Sequence, residues 1–115
     1  MIEISKLKVV DSEEEREAVL RVVTERENYY RELFKNDPSL PRIKVTYEGA
    51  RPLLIRILFA PARGKVVVVH QSGYGSADSV TKHAFKKLRR VAKNHFIKHK
   101  KLASIRRSSR QIISK

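Results

Sequence analysis

Apolar residues alternate with polar ones, then recur every three to four positions, then alternate again, and each switch marks an element. Ile2 and Ile4, followed by Leu7, Val9 and Val10, stand among Glu3, Ser5, Lys6 and Lys8. That period of two, with a register change near Lys6, predicts a short, edge-compatible strand. Ser12 and Glu15 have the spacing of a capping box, in which the Ser hydroxyl takes an orphan amide while Glu13 and Glu14 suit the positive end of the helix dipole. At 100° per residue, Ala18, Val19, Val22, Val23, Tyr29, Tyr30, Leu33 and Phe34 fall within roughly 160° of one another. A core-facing helix is predicted to Lys35. The two prolines of Asn36-Asp37-Pro38-Ser39-Leu40-Pro41 end it and form a connection.

Ile43, Val45 and Tyr47 then alternate with Lys44, Thr46 and Glu48, the pattern of a strand with one wet face. Gly49-Ala50-Arg51-Pro52 can turn the chain into a second strand, Leu53 to Phe59, which carries Arg56 in its middle. Ala60-Pro61-Ala62-Arg63-Gly64 leads to a valine-rich third, Lys65 to Gln71. These three strands make an antiparallel meander. Gly73-Tyr74-Gly75 breaks the pattern, and Ser76 or Asp78 can cap a helix running to about His99. Its packed stripe is Ala77, Val80, Ala84, Leu88, Val91 and His95, widened by Phe85, Ala92 and Phe96. The predicted fold is α+β, a two-layer β-α-β-β-β-α domain with two helices on one face of a four-stranded sheet.

Charge sharpens this picture. The 115 residues include 26 Lys and Arg against 12 Asp and Glu, a formal net charge of +14, with 41% apolar residues. One domain with a modest core is expected over residues 1–103, and a frayed helix end or flexible basic arm over 104–115. Up to Glu48 there are nine cations against eleven acids, a net of −2; from Gly49 onward there are seventeen against one, Asp78, a net of +16. Such asymmetry concentrates positive potential on one part of the surface and attracts polyanions. Uninterrupted apolar runs reach four residues, as in Val66 to Val69, far short of the ~18 a membrane helix needs, and the first residues lack the apolar core of a signal peptide. With no cysteine, a disulfide framework, thiolate-bound zinc and thiol catalysis are excluded, and the reducing cytoplasm is the expected compartment.

The second helix carries the most informative chemistry. Lys82, Lys86, Lys87, Arg89, Arg90, Lys93, Lys100 and Lys101 lie on the arc opposite the packed stripe, with no acid among them. They span roughly 28 Å at 1.5 Å per residue, enough to meet several phosphates at once. A merely solvated face usually mixes signs, as the first helix does with Glu17, Arg21, Glu25, Arg31 and Glu32. Arg106 and Arg107 extend the cationic set into the tail. Most aromatics fall at core positions, which favours backbone and shape recognition over base reading.

Other candidates are weaker. Gly73-Tyr74-Gly75-Ser76 before a helix resembles a phosphate cradle but lacks the Walker lysine spacing and a full dinucleotide fingerprint; its amides could still hold one phosphate, and Tyr74 could stack on a base or sugar. His95 and His99 have the i, i+4 spacing of metal ligands without a third ligand nearby. Ser76, Ser79 and His83 are accounted for by capping and helix surface, so no enzyme, no cofactor, no metal and no small-molecule substrate are expected.

With these elements in place the chain resembles the ribosome hibernation-promoting factor and ribosome-associated inhibitor A family, in its short form. The resemblance covers Ile2 to about Lys101. It rests on element order, on Ser12-Glu-Glu-Glu-Arg-Glu-Ala-Val, on Val66-Val-Val-Val-His-Gln-Ser-Gly, and on Ala77-Asp-Ser-Val-Thr-Lys-His-Ala-Phe-Lys-Lys-Leu-Arg-Arg. Asp78 matches the family's Asp-x-Tyr-x-Ala-Ile helix opening, while Val80 stands for the aromatic and Lys82 for the alanine. The resemblance implies binding to ribosomal RNA in the messenger and transfer RNA channel of the small subunit, and inhibition of translation under stress. Two alternatives stand beside it. The double-stranded RNA-binding domain shares the helix, three strands and basic helix, with Gly49-Ala-Arg-Pro in place of its groove-reading loop. A protein-interaction module or toxin–antitoxin component would be recognised through the acidic first helix.

Overall fold

The chain is described here by a computed structural model over residues 2–36, 40–62 and 64–93. Its elements are β1 (Ile2–Ser5), a 3-10 turn (Leu7–Val9), α1 (Glu13–Leu33), β2 (Arg42–Ala50), β3 (Leu53–Ala60), β4 (Val67–Gly73) and α2 (Ala77–Val91). The sheet has the order β1-β2-β3-β4. β1 pairs parallel with β2, while β2, β3 and β4 form the expected antiparallel meander. This is the α+β architecture predicted.

Where the sequence pattern changed register, the backbone turns. Lys6 is left-handed at φ 62°, so β1 stops at Ser5, short of Leu7, Val9 and Val10, which the pattern joins to it. Leu7–Val9 instead forms the 3-10 turn that tucks Val10 into the core. α1 then opens on Ser12, whose Oγ accepts from the Glu15 amide at 3.3 Å. The capping box is half made, because Glu15 returns no bond to Ser12. At the end of β2 the register shifts between Glu48 and Ala50. Gly49 supplies the required φ of +67°, and a Cβ there would also crowd the Pro52 carbonyl at 3.3 Å.

Alternation along the strands decides the layers. Ile43, Val45 and Tyr47 of β2, Ile55, Ile57 and Phe59 of β3, and Val69 of β4 are buried together with Val19, Val23 and Tyr30 of α1 and Phe85 and Leu88 of α2. Both helices therefore cover one face. Of the intervening positions, Lys44, Leu54, Arg56, Val68 and His70 are exposed on the other face, Leu58 is half-buried and Thr46 is buried.

Three expectations need correction. β4 starts at Val67 rather than Lys65 and runs to Gly73, because its ladder with β3 begins at Phe59–Val67 and ends at Leu53–Gly73. Val91 is 55% exposed, since the last turn of α2 is packed only on the side of Leu88 and Ala92. Thr81, absent from the expected stripe, is fully buried in it. The extension of α2 towards His99, with His95 and Phe96, lies outside the described residues, as does the segment 104–115.

Candidate nucleic-acid interface

α2 is positioned by its apolar side. Val80, Ala84, Phe85 and Leu88 pack on the sheet and on α1, with the Phe85 ring 6.4 Å from that of Tyr30. Beneath the helix, the Thr81 hydroxyl donates to the Ala77 carbonyl at 2.7 Å and therefore accepts from the Tyr47 hydroxyl at 2.9 Å. Burial pushes the Tyr47 phenol up to about 12 against the effect of that bond. These contacts fix the rotation of α2, and rotation decides which charges face water.

Lys82, Lys86, Arg89, Arg90 and Lys93 are all exposed. Among the described residues none of them forms an ion pair, whereas on α1 Arg31 pairs with Glu27 at 3.2 Å and, just past its end, Lys35 pairs with Glu32 at 2.9 Å. Lys82 lies one turn from Asp78 and contributes to lowering its pKa; the other four have no acid near them on the helix. Lys87 differs, because it is partly buried and its Nζ donates to the His70 carbonyl at 2.6 Å. That bond ties the helix to β4, the sheet's edge strand, and covers a free edge group. Lys100, Lys101, Arg106 and Arg107 lie outside the described residues.

Two features escaped the sequence reading. Burial pushes the Tyr30 phenol up to about 12, and the nearby charges of Arg26 and Arg89 act in the opposite direction. Arg26 of α1 thus approaches the same helix–helix seam as Arg89. Its signal was a cation four residues before Tyr30, inside the apolar arc. The open face of the sheet carries Arg42, Lys44, Arg56 and His70, of which Arg56 pairs with Glu48 at 3.5 Å. Strand alternation alone would have grouped them.

The first turn of α2 carries an acid of its own, Asp78, where a phosphate would approach. Ser76 occupies the N-cap position without capping an amide. The neighbouring Ser76 hydroxyl, with smaller help from the amides of Asp78 and Ser79 and from Lys82, holds the Asp78 carboxyl below the usual carboxylate range against the opposing effect of burial. The chain supplies its own anion there. A shallow pocket of about 270 Å³ opens beside this turn, lined in part by Asp11, Ser12, Glu15, Arg51 and Gly75. Its two carboxylates make it a poor phosphate site, and no histidine lines it to activate Ser12.

Among the described residues no three His, Asp or Glu side chains gather as a metal site, and no helix is long and apolar enough to cross a membrane. Comparison of the sequence with family models and with curated proteins finds no match.

Proposed function

We propose that this protein binds RNA through the outward face of α2, and that its target is ribosomal RNA of the small subunit, where it occupies the messenger and transfer RNA channel and inhibits translation under stress. The observation that carries RNA binding is the unpaired cationic arc of Lys82, Lys86, Arg89, Arg90 and Lys93 on a helix locked in rotation by its buried side. Phosphates spaced along a backbone are the ligand that such an arc neutralises. The ribosomal target rests on the family resemblance in element order. Inhibition is by occupancy, in the cytoplasm, without chemistry on the RNA; the pocket beside the helix start sets Ser12 near two carboxylates, with no histidine among the residues that line it.

Sedimentation of a cell extract on a sucrose gradient tests the target. Co-migration with small subunits, lost at high salt, is the expected result. Migration away from subunits together with tight binding of free duplex RNA would replace it with the double-stranded RNA reading. Binding to neither would leave a protein-interaction module.

A further inference from the structure

Tyr74 is 85% exposed, while among the described residues the next most exposed large apolar side chains, Val66 and Val91, reach 56% and 55%. It stands between two glycines in the three-residue link from β4 to α2. Gly73 runs so close to the helix that a Cβ on it would lie 3.0 Å from a methyl of Val80, and a Cβ on Gly75 would meet nothing within 4 Å. Neither neighbour has a side chain to lie across the ring. The Leu53–Gly73 pairing sets the exposed Arg51 of the β2–β3 turn at the same end of the sheet. Lys82 follows about 8 Å along the helix axis from Ala77, at 1.5 Å per residue.

The charge at this end decides what the ring can receive. Ser76 holds the Asp78 carboxyl below its ordinary range, and in the adjacent pocket Asp11 and Glu15 outnumber the one cation, Arg51. A phosphate is therefore disfavoured beside Tyr74, whereas a neutral aromatic base loses nothing by approaching it. Stacking on an exposed ring is sequence-tolerant because every base has a π-face.

We propose that Tyr74 is a stacking platform for an unpaired nucleobase, at the end of a strand whose phosphates run along α2. This rests on the RNA-binding reading and narrows it: the ligand is a duplex with a single-stranded end or a bulge, rather than a featureless duplex. The phosphates are gripped by the helix, and the first base released from pairing lies on the tyrosine.

The test uses the full chain and three RNA probes sharing one hairpin: blunt, with a short overhang, and with the same overhang made abasic, so that phosphates are matched and only bases differ. The parent protein should prefer the base-bearing overhang over the abasic one by roughly 5- to 150-fold, the range for one stacked base. Tyr74→Ala should erase that preference while binding the blunt hairpin as before, and Tyr74→Phe should keep it. Equal affinity of the parent for the two overhangs would overturn the stacking site and leave RNA binding standing. A Tyr74→Ala loss that is the same on all three probes would also overturn it. If the parent binds none of the three, the RNA reading falls and the stacking site falls with it.

Discussion

Replacing Lys86, Arg89, Arg90 and Lys93 together with glutamine removes the four exposed cations, three on α2 and one just past its end, that have no acid near them on this face. With Lys82 the described part of this face offers five. If each neutralises one phosphate of a duplex, log K falls with log salt at a slope of roughly −4.5, from about 0.9 per contact. Raising salt fourfold, from 50 to 200 mM, then weakens parent binding about 500-fold, and the variant, left with Lys82 and a slope near −1, by only about fourfold. The fold should survive, because none of the four side chains is in the core. Relief of the Lys86–Arg90 and Arg89–Lys93 repulsions should leave the unfolding midpoint unchanged or slightly higher. Fluorescence anisotropy against a labelled hairpin at several salt concentrations reads the slope, and circular dichroism reads the fold. Lys87→Gln is the internal comparison: its amine is tied to the His70 carbonyl, so the slope should stay near the parent's. A folded quadruple variant with an unchanged slope would refute this assignment of the binding face.

Thr81→Val strands the buried Tyr47 hydroxyl and should cost about 1–3 kcal/mol in urea unfolding. Adding Tyr47→Phe should restore part of that loss, and strictly additive costs would contradict the shared bond. Leu88→Ala empties a fully buried position between α2 and the sheet and should cost about 2–5 kcal/mol, with RNA affinity retained while the protein stays folded. Tyr30 and Tyr47 have folded pKa values raised from 10.0 to about 12. The unfolded chain therefore ionises first: the stability these phenols contribute is complete below pH 10 and is lost as pH rises through 12, by up to about 3 kcal/mol each. Ultraviolet titration should find two phenols ionising near pH 12 in the folded protein, and full ionisation of all four by pH 11 without unfolding would contradict their burial.

Element order and core were legible because they rest on periodicity, which a packed layer enforces. Ile43, Val45 and Tyr47 could face only one way in a strand, and Val19, Val23 and Tyr30 only one way on a helix; all six are buried. The misses share a different cause, for they turn on single backbone torsions or on the extent of a neighbouring element. A left-handed Lys6 has no composition signature, since lysine seldom adopts that conformation. Thr81 could be buried only because Tyr47 lies beneath it, a contact between residues 34 positions apart that no local window contains. The same holds for the interface. The cationic arc was visible as a wheel, but the separation of Lys87 from the rest needed the β4 edge, and the open ring of Tyr74 needed the path of the chain past Val80.

The two helices bear like burdens differently. α1 and the turn after it offset charge through the Arg31–Glu27 and Lys35–Glu32 pairs, whereas α2 and the residues just past it leave Lys82–Lys86, Lys86–Arg90 and Arg89–Lys93 repelling at i, i+4. At a few tenths each, these and the i, i+3 contacts disfavour the isolated helix by about 1–2 kcal/mol. Phe85 and Leu88, both fully buried, contribute about 1.5–3 kcal/mol apiece. Packing therefore outweighs repulsion before any ligand arrives. α2 is formed and held in rotation in the free protein, so association with a polyanion relieves repulsion without the entropy of ordering a helix. By linkage, a bound RNA should raise the unfolding midpoint, and the rise should shrink in the quadruple glutamine variant, where both the repulsion and the phosphate contacts are gone.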